Sequence, residues 1–418
     1  MILDTPLRPV FLALGLLLLS IAGAPLPRES SGWDEFGAVL ASDDDDDDDD
    51  WDDDDDRRPR PAPRTVLPIQ SATEIVIIDL APDVRAVLDS LGYRVLRETG
   101  DAVLLALPSG LTVEAALREI AAMTPAILAA PNSYYRTQAS LDCLAAICTN
   151  WVQAGYVAPS ADCPLTPRIG IVDTDVNLVH EMLLQADIEI LRLGDYSATP
   201  SGQRHGTAIA AMLVGDPAGR VPGFFPDASL VVADPFVIAE RGDERADAFG
   251  LFSAIMALVA AEVDVIGLSL AGPDNPLLAL AIERATAAAI PVIASVGNEG
   301  PQAPALYPAA YDAVIAVTAV DGSGTIYRRA GQGSHVDLAA PGVEISTAAS
   351  ISGIRPQTGT SFAVPFAVAA FLATSARDPE ATAGEIEAQV LAAARDLGAP
   401  GHDPVFGHGL VTIGTPCP

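Results

Sequence analysis

The sequence predicts an α/β chain: a parallel β-sheet with helices on both faces, preceded by a small α+β domain. Two observations predict it. From residue 165 onward, short runs of Val, Ile, Leu and Ala alternate with longer helical stretches, the order that builds a parallel sheet covered on both sides. Upstream, residues 65–138 carry a shorter pattern of strand, helix, two strands, helix and strand.

In the small domain, Glu74–Leu80 reads as a strand and Pro82–Leu91 as a helix ending at Gly92. Tyr93–Glu98 and Asp101–Pro108 read as a hairpin turning at Gly100. Thr112–Met123 is an amphipathic helix and Ala126–Ala130 a last strand. This β-α-β-β-α-β order is the ferredoxin-like split motif, which by itself serves many roles. In the larger domain, strands are expected at 168–172, 187–192, 229–233, 263–270, 291–296 and 313–319. Helices are expected at 205–214, 246–261, 276–289, 361–375 and 383–395. Pro365 falls in the first turn of its helix, where a missing N–H does little harm.

Half of the 418 residues are hydrophobic, enough for a sizeable core. The formal charge is −32, and thirteen aspartates lie in two runs, Asp43–Asp50 and Asp52–Asp56, around Trp51. Lysine is absent, so every cationic side chain apart from histidine is arginine. No basic patch interleaved with aromatics is present, which argues against nucleic acid as a partner. Acidity favours solubility and, through long-range fields, cationic substrates.

Residues 10–24 form one apolar run whose length suits a signal-peptide core better than a membrane span. Ala22-Gly23-Ala24 fits a small-residue cleavage site, although Asp4 dilutes the basic n-region and Pro25 follows the cut directly. The expected location is secreted or periplasmic. The alternative is a retained anchor over 1–24, the one case in which the membrane is a partner. Residues 25–64, rich in Pro, Asp and Arg, read as a solvated, disordered linker.

Four segments carry candidate chemistry. Gly359-Thr360-Ser361 precedes an apolar helix, placing a hydroxyl at a helix N-terminus, where developing negative charge is favoured. Arg168-Ile-Gly-Ile-Val-Asp173-Thr174 is a buried strand ending in a carboxylate. His205-Gly206-Thr207 opens an apolar helix closed by Gly215. Pro291-Val-Ile-Ala-Ser-Val-Gly297-Asn298 is a strand running into an amide. Singly, each reads as well as a cap or a turn residue. Together they supply the nucleophile, base, orienter and oxyanion donor that chemistry at an acyl carbon needs, at strand ends and helix starts that gather at one sheet edge.

The order Asp, His, Asn, Ser and the segments Leu268-Ser269-Leu270, Ala340-Pro341-Gly342 and Gly407-His408-Gly409-Leu410-Val411 resemble the subtilases, the subtilisin-like serine peptidases, over residues 165–414. The resemblance implies a subtilisin-like catalytic domain over 139–418, with Ser361 as nucleophile, His205 as general base and then acid, and Asp173 holding the imidazole. It also implies an oxyanion hole from the Asn298 side chain and the Ser361 N–H. Leu268, Ser269, Leu270, Ala271, Ser295, Val296 and Gly297 would line the substrate pocket, whose small apolar walls suggest an apolar or broad preference.

The domain at 65–138 resembles the family's propeptide, which would act as an inhibitor until cleaved. Its tail, Asn132–Gln138, would lie in the cleft by strand addition, with self-cleavage near 136–142. Protein or peptide substrates are the implied partners. No matching calcium loop is evident, and neither a metal nor a cofactor is expected.

One residue departs from the pattern: Asp175 stands where the family usually has glycine. A second carboxylate there would either favour the imidazolium or face solvent without effect. A degenerate subtilase that binds peptides without cutting them, and a membrane-tethered processing protease, are the alternative readings. His180, His335, His402 and His408 read as loop residues.

Cysteines stand at 143, 148, 163 and 417. In an exported chain an even count suggests disulfides in one of three connectivities, of which Cys143–Cys148 with Cys163–Cys417 is favoured, the second bridge closing a long loop around the catalytic domain; a zinc site is the alternative, but no histidine stands at a ligand-like spacing. Peptide mapping under non-reducing conditions is expected to recover both linked pairs; four free thiols would remove the expectation.

Overall fold

The computed structural model describes residues 67–125, 127–137, 154–155, 165–194 and 197–415. The leader, the aspartate runs and all four cysteines lie outside the described residues. The first described segment holds β1 (Gln70–Ile78), α1 (Pro82–Ser90), β2 (Arg94–Thr99), β3 (Ala102–Ala106), α2 (Val113–Met123) and β4 (Ala129–Thr137). Its strands form an antiparallel sheet in the order β2-β3-β1-β4.

Alternation along these strands divides their side chains between two cores. Ile75, Ile77, Val103 and Leu105 pack with Leu88, Val113 and Ile120 of the two helices. Val76, Ile78, Ala102 and Leu104 face the other way and pack into the core of the larger domain.

The last strand, Ala129–Thr137, starts three residues later and ends seven residues later than the expected Ala126–Ala130. It runs through Pro131, which is tolerated at the register shift between β1 and β4 and whose carbonyl accepts from Asn275 Nδ2 at 2.9 Å.

The larger domain begins with β5 (Arg168–Val172), β6 (Asp187–Arg192), β7 (Thr199–Pro200), α3 (Arg204–Val214), β8 (Ser229–Asp234), β9 (Val237–Ile238) and β10 (Glu244–Asp247). It continues with α4 (Ala248–Ala260), β11 (Val265–Leu268), β12 (Leu270–Ala271), α5 (Pro276–Ala287), β13 (Val292–Ser295) and β14 (Val314–Val320). β15 (Leu338–Pro341), β16 (Ile345–Ala348), β17 (Ile354–Gln357), α6 (Val364–Arg377) and α7 (Ala383–Ala393) complete it.

Seven strands form the parallel sheet, in the order β15-β14-β13-β11-β5-β8-β6. α3, α6 and α7 pack into the core on one face, α4 and α5 into the core on the other. Strand order reverses direction around β5, which opens a crevice at the carboxyl ends of the central strands.

The six expected strands are present, and β15 is a seventh. Its four residues, Leu338–Pro341, are too short and too close to Pro341-Gly342 to stand out from a turn. The expected strand 263–270 is two: β11 stays in the parallel sheet, whereas β12 leaves it and pairs with β4. The expected helix 361–375 starts with a single 3-10 turn, Thr360–Phe362, before α6. The apolar stretch Thr360–Arg377 is long enough to cross a membrane, but 83% of it is buried inside the protein. That burial accounts for its composition.

The start of α3 is pressed against the end of β5. A Cβ on Gly206 would lie 2.1 Å from the carbonyl oxygen of Thr174 and 2.7 Å from that of Asp175. Backbone atoms cannot swing aside as a side chain would. Gly206→Ala is therefore expected to lower stability by about 2–3 kcal/mol or more, read from the thermal midpoint. An unchanged midpoint would show that helix and strand can separate there.

Candidate active site

β5 carries Asp173 at its carboxyl end, where the residue is fully buried. α3 carries His205 in its first turn, and the ring is 5% exposed. His205 Nδ1 lies 2.7 Å from Asp173 Oδ1. A carboxylate only accepts, so Nδ1 bears the proton, and in the neutral ring Nε2 is the basic nitrogen. Asp173 Oδ1 also accepts from Thr174 N at 2.7 Å. Among the described residues, Asp173 Oδ2 and His205 Nε2 are buried and find no hydrogen-bond partner. The Phe362 ring packs beside the imidazole, centroids 5.5 Å apart.

Ser361 occupies the 3-10 turn that leads into α6, after Gly359 at φ +151°, a conformation that favours glycine. Its Oγ donates to Ser269 O at 3.0 Å, while Ser269 Oγ donates to Ser361 O at 3.1 Å. This reciprocal clasp ties the start of α6 to the link between β11 and β12. Asn298 follows β13. Its Oδ1 accepts from Thr360 N (3.1 Å) and Thr360 Oγ1 (3.0 Å), which fixes the carboxamide by its oxygen and makes the NH2 its donor end.

The pocket candidates gather at the same edge. Leu268 ends β11, Leu270 and Ala271 form β12, and Ser295 ends β13 with its Oγ 3.4 Å from Leu270 O. Val296 and Gly297 follow directly. A Cβ on Gly297 would lie 2.6 Å from Leu306 Cδ1 and 3.5 Å from Ala271 Cβ, so these two segments face each other.

Asp175 does not face solvent. Its carboxylate is held by Arg192 Nη2 at 2.7 Å and Gln203 Nε2 at 3.0 Å, and it is 9% exposed. The site also contains residues that the motif pattern did not single out. Thr174 Oγ1 accepts from Gly206 N at 2.9 Å, and Thr207 Oγ1 from Asn177 N at 2.8 Å. Thr360 holds Asn298. Each of these threonines stands inside a quoted motif, and a short hydroxyl beside a strand end or helix start is the signal that marks them. His180, in a loop as expected, is fully buried, with Nε2 3.2 Å from Gly353 O.

Asp234 ends β8 as Asp173 ends the neighbouring β5. It is 4% exposed, accepts from Ser201 Oγ at 2.7 Å and from Phe236 N at 2.9 Å, and Ser201 Oγ in turn accepts from Asp175 N at 2.9 Å. Burial, aided by the charges of Asp175 and Asp173, pushes its carboxyl up to about 7 against the pull of those two hydrogen bonds.

An acid whose pKa is raised by folding stabilises the fold below its unfolded value and loses that contribution as pH rises through the folded value. Asp234→Asn is therefore expected to flatten the decline in thermal midpoint between about pH 4, where an unfolded aspartate titrates, and the folded value of about 7. Calorimetry across that range measures it. An identical slope in both proteins would assign the decline to other groups.

A sequence model of the subtilase family matches residues 166–409. Minor extracellular protease Epr of Bacillus subtilis (strain 168) is 29% identical over 246 residues, a match spanning 58% of this chain and 37% of that relative's length. Subtilisin DY of Bacillus licheniformis is 29% identical over 255 residues, covering 59% of this chain and 89% of its own. Among solved structures, fervidolysin from Fervidobacterium pennivorans, a keratinolytic enzyme related to subtilisin, shares the fold with a TM-score of 0.69 at 19% identity. That match covers 82% of this chain and 60% of fervidolysin. The family match takes in Asp173, His205, Asn298 and Ser361 and more than half of the sequence. The chain belongs to the subtilase family of serine-type endopeptidases.

Proposed function

We propose that this chain is a serine endopeptidase made as a zymogen that cuts itself. The observation that carries the reading is the path of β4. Tyr134 and Tyr135 pair with Asp247 and Ala246 of β10, while Arg136 and Thr137 pair with Ala271 and Leu270 of β12. An extended chain thus lies between two strands of the larger domain and heads toward Ser269, whose carbonyl receives the Ser361 hydroxyl. A polypeptide substrate bound by strand addition would take the same course. Thr137, paired with Leu270, is the last described residue of this strand and lies within the expected interval 136–142.

In this reading Ser361 Oγ attacks the peptide carbonyl as His205 Nε2 takes its proton. The proton then passes to the leaving amine. Asp173 keeps Nδ1 protonated and stabilises the imidazolium, and the Asn298 NH2 donates to the oxyanion. The small N-terminal domain, a ferredoxin-like prodomain in this reading, is the inhibitor, because its tail fills the groove. Export to the cell exterior or periplasm fits the apolar leader.

The test is to express the full chain beside Ser361→Ala and determine the N-terminus of each purified protein. The wild type is expected to shorten by about 140 residues and the variant to remain whole, in keeping with the roughly 10⁶-fold loss in kcat that follows removal of such a serine. Normal shortening of the variant would mean that another protease matures it. An intact wild type that hydrolyses no protein substrate would favour a peptide-binding relative that has lost the chemistry.

A further inference from the structure

Asp243 lies between the turn Glu240–Gly242 and β10, with its side chain 2% exposed. Its Oδ1 accepts from Arg136 Nε at 2.7 Å, and its Oδ2 accepts from Arg136 Nη2 at 2.9 Å and from Arg245 Nη1 at 2.7 Å. Arg136 therefore grips the carboxylate with two parallel donors, a planar match that an ammonium group cannot make. The two guanidinium groups hold the Asp243 carboxyl below the ordinary carboxylate range although burial opposes them. Glu299, partly buried, adds a second negative field that reaches Arg136. Arg245 lies over the Tyr134 ring, 3.6 Å from its centroid.

The two halves of this pair differ in origin. Arg136 belongs to the added strand, where it pairs with Ala271. Asp243 belongs to the larger domain and stays behind when that strand departs. Arg245 reaches only Oδ2, so departure takes from Oδ1 the arginine that served it. A polypeptide seated in the same register brings its own side chain to that point, and arginine restores both bonds. Lysine restores the charge without the fork, a neutral residue restores neither, and a carboxylate is repelled. Residues 139–418 still hold more Asp and Glu than Arg, which favours cationic chains in the same direction.

We propose that Asp243 selects an arginine side chain at the substrate position that pairs with Ala271, so that the preferred substrates are arginine-bearing polypeptides. The inference rests on the reading of β10 and β12 as the walls of the substrate groove.

The test uses the enzyme matured from the full chain and internally quenched peptides of the sequence 132–142 with Arg, Lys, Ala or Glu at position 136. Hydrogen bonds to a charged group suggest about a tenfold higher kcat/KM for Arg than for Ala, with Lys between them and Glu lowest. In Asp243→Asn the ratio of Arg to Ala is expected to fall toward one. Equal rates for the four peptides with wild-type enzyme would overturn the inference while leaving the peptidase reading intact, and this result needs no variant to fold. Cleavage of none of the four would overturn both. An Arg preference that survives in Asp243→Asn would remove Asp243 from the role.

Discussion

A carboxylate taken out of water must be met by hydrogen-bond donors, and the arrangement of this molecule follows from how Asp173 is met. Three donors converge on its Oδ1: the Thr174 N–H and hydroxyl, fixed by the strand end, and His205 Nδ1, supplied by a helix that starts some thirty residues later. To reach it, α3 must approach the strand end within backbone contact, and only glycine at 206 leaves room. The threonine hydroxyls on either side then take up the amides that this close approach would strand. The geometry of the candidate site and local stability are thus one set of contacts, since loosening the helix for any reason also uncovers a buried charge.

The second organising feature is that one sheet is made by two parts of the chain. β4 completes the antiparallel sheet of the N-terminal segment with its first half and joins β10 and β12 with its second. Around it the contacts are polar and directional. Asn132 bridges Glu74 and Asp247 and accepts from Phe249 N, Asn275 holds Pro131 O and Ser133, and Arg284 pairs with Asp101. Asn275 and Asp247 also cap α5 and α4. The helix caps of the larger domain therefore double as its grip on the smaller one. With no lysine in the chain, every arginine available for this grip carries a planar fork, which suits paired, directional bonds to carboxylates.

Most of the parallel sheet was legible because strands buried on both faces must be continuously apolar, and Arg168–Val172 and Val292–Ser295 are largely so. The strand-end Asp173, the helix-start His205 and the Ser361 turn were legible because their motifs place a polar residue at the border of an apolar run. What escaped reading is tertiary in origin. β12 is two residues long and pairs with a segment more than a hundred positions upstream, so no local periodicity announces it. Asp175 could not be assigned from sequence because its partners, Arg192 and Gln203, come from a strand and a loop whose approach only the fold decides. Asp234 repeats the strand-end pattern of Asp173, but nothing in sequence says that β8 lies beside β5.

Val76, Ile78, Ala102 and Leu104 lie in the same core as Phe249, Phe252 and Leu277 of α4 and α5. Among the described residues, each of these surfaces is the cover of the other. Were the covalent link between the two parts broken, separation would wet both faces at once, and burial of apolar surface is worth roughly 25 cal/mol per Å². The severed piece would then behave as a tightly held ligand whose residence time, more than the speed of any bond cleavage, sets when the groove becomes empty. The apolar part of its affinity would weaken on cooling.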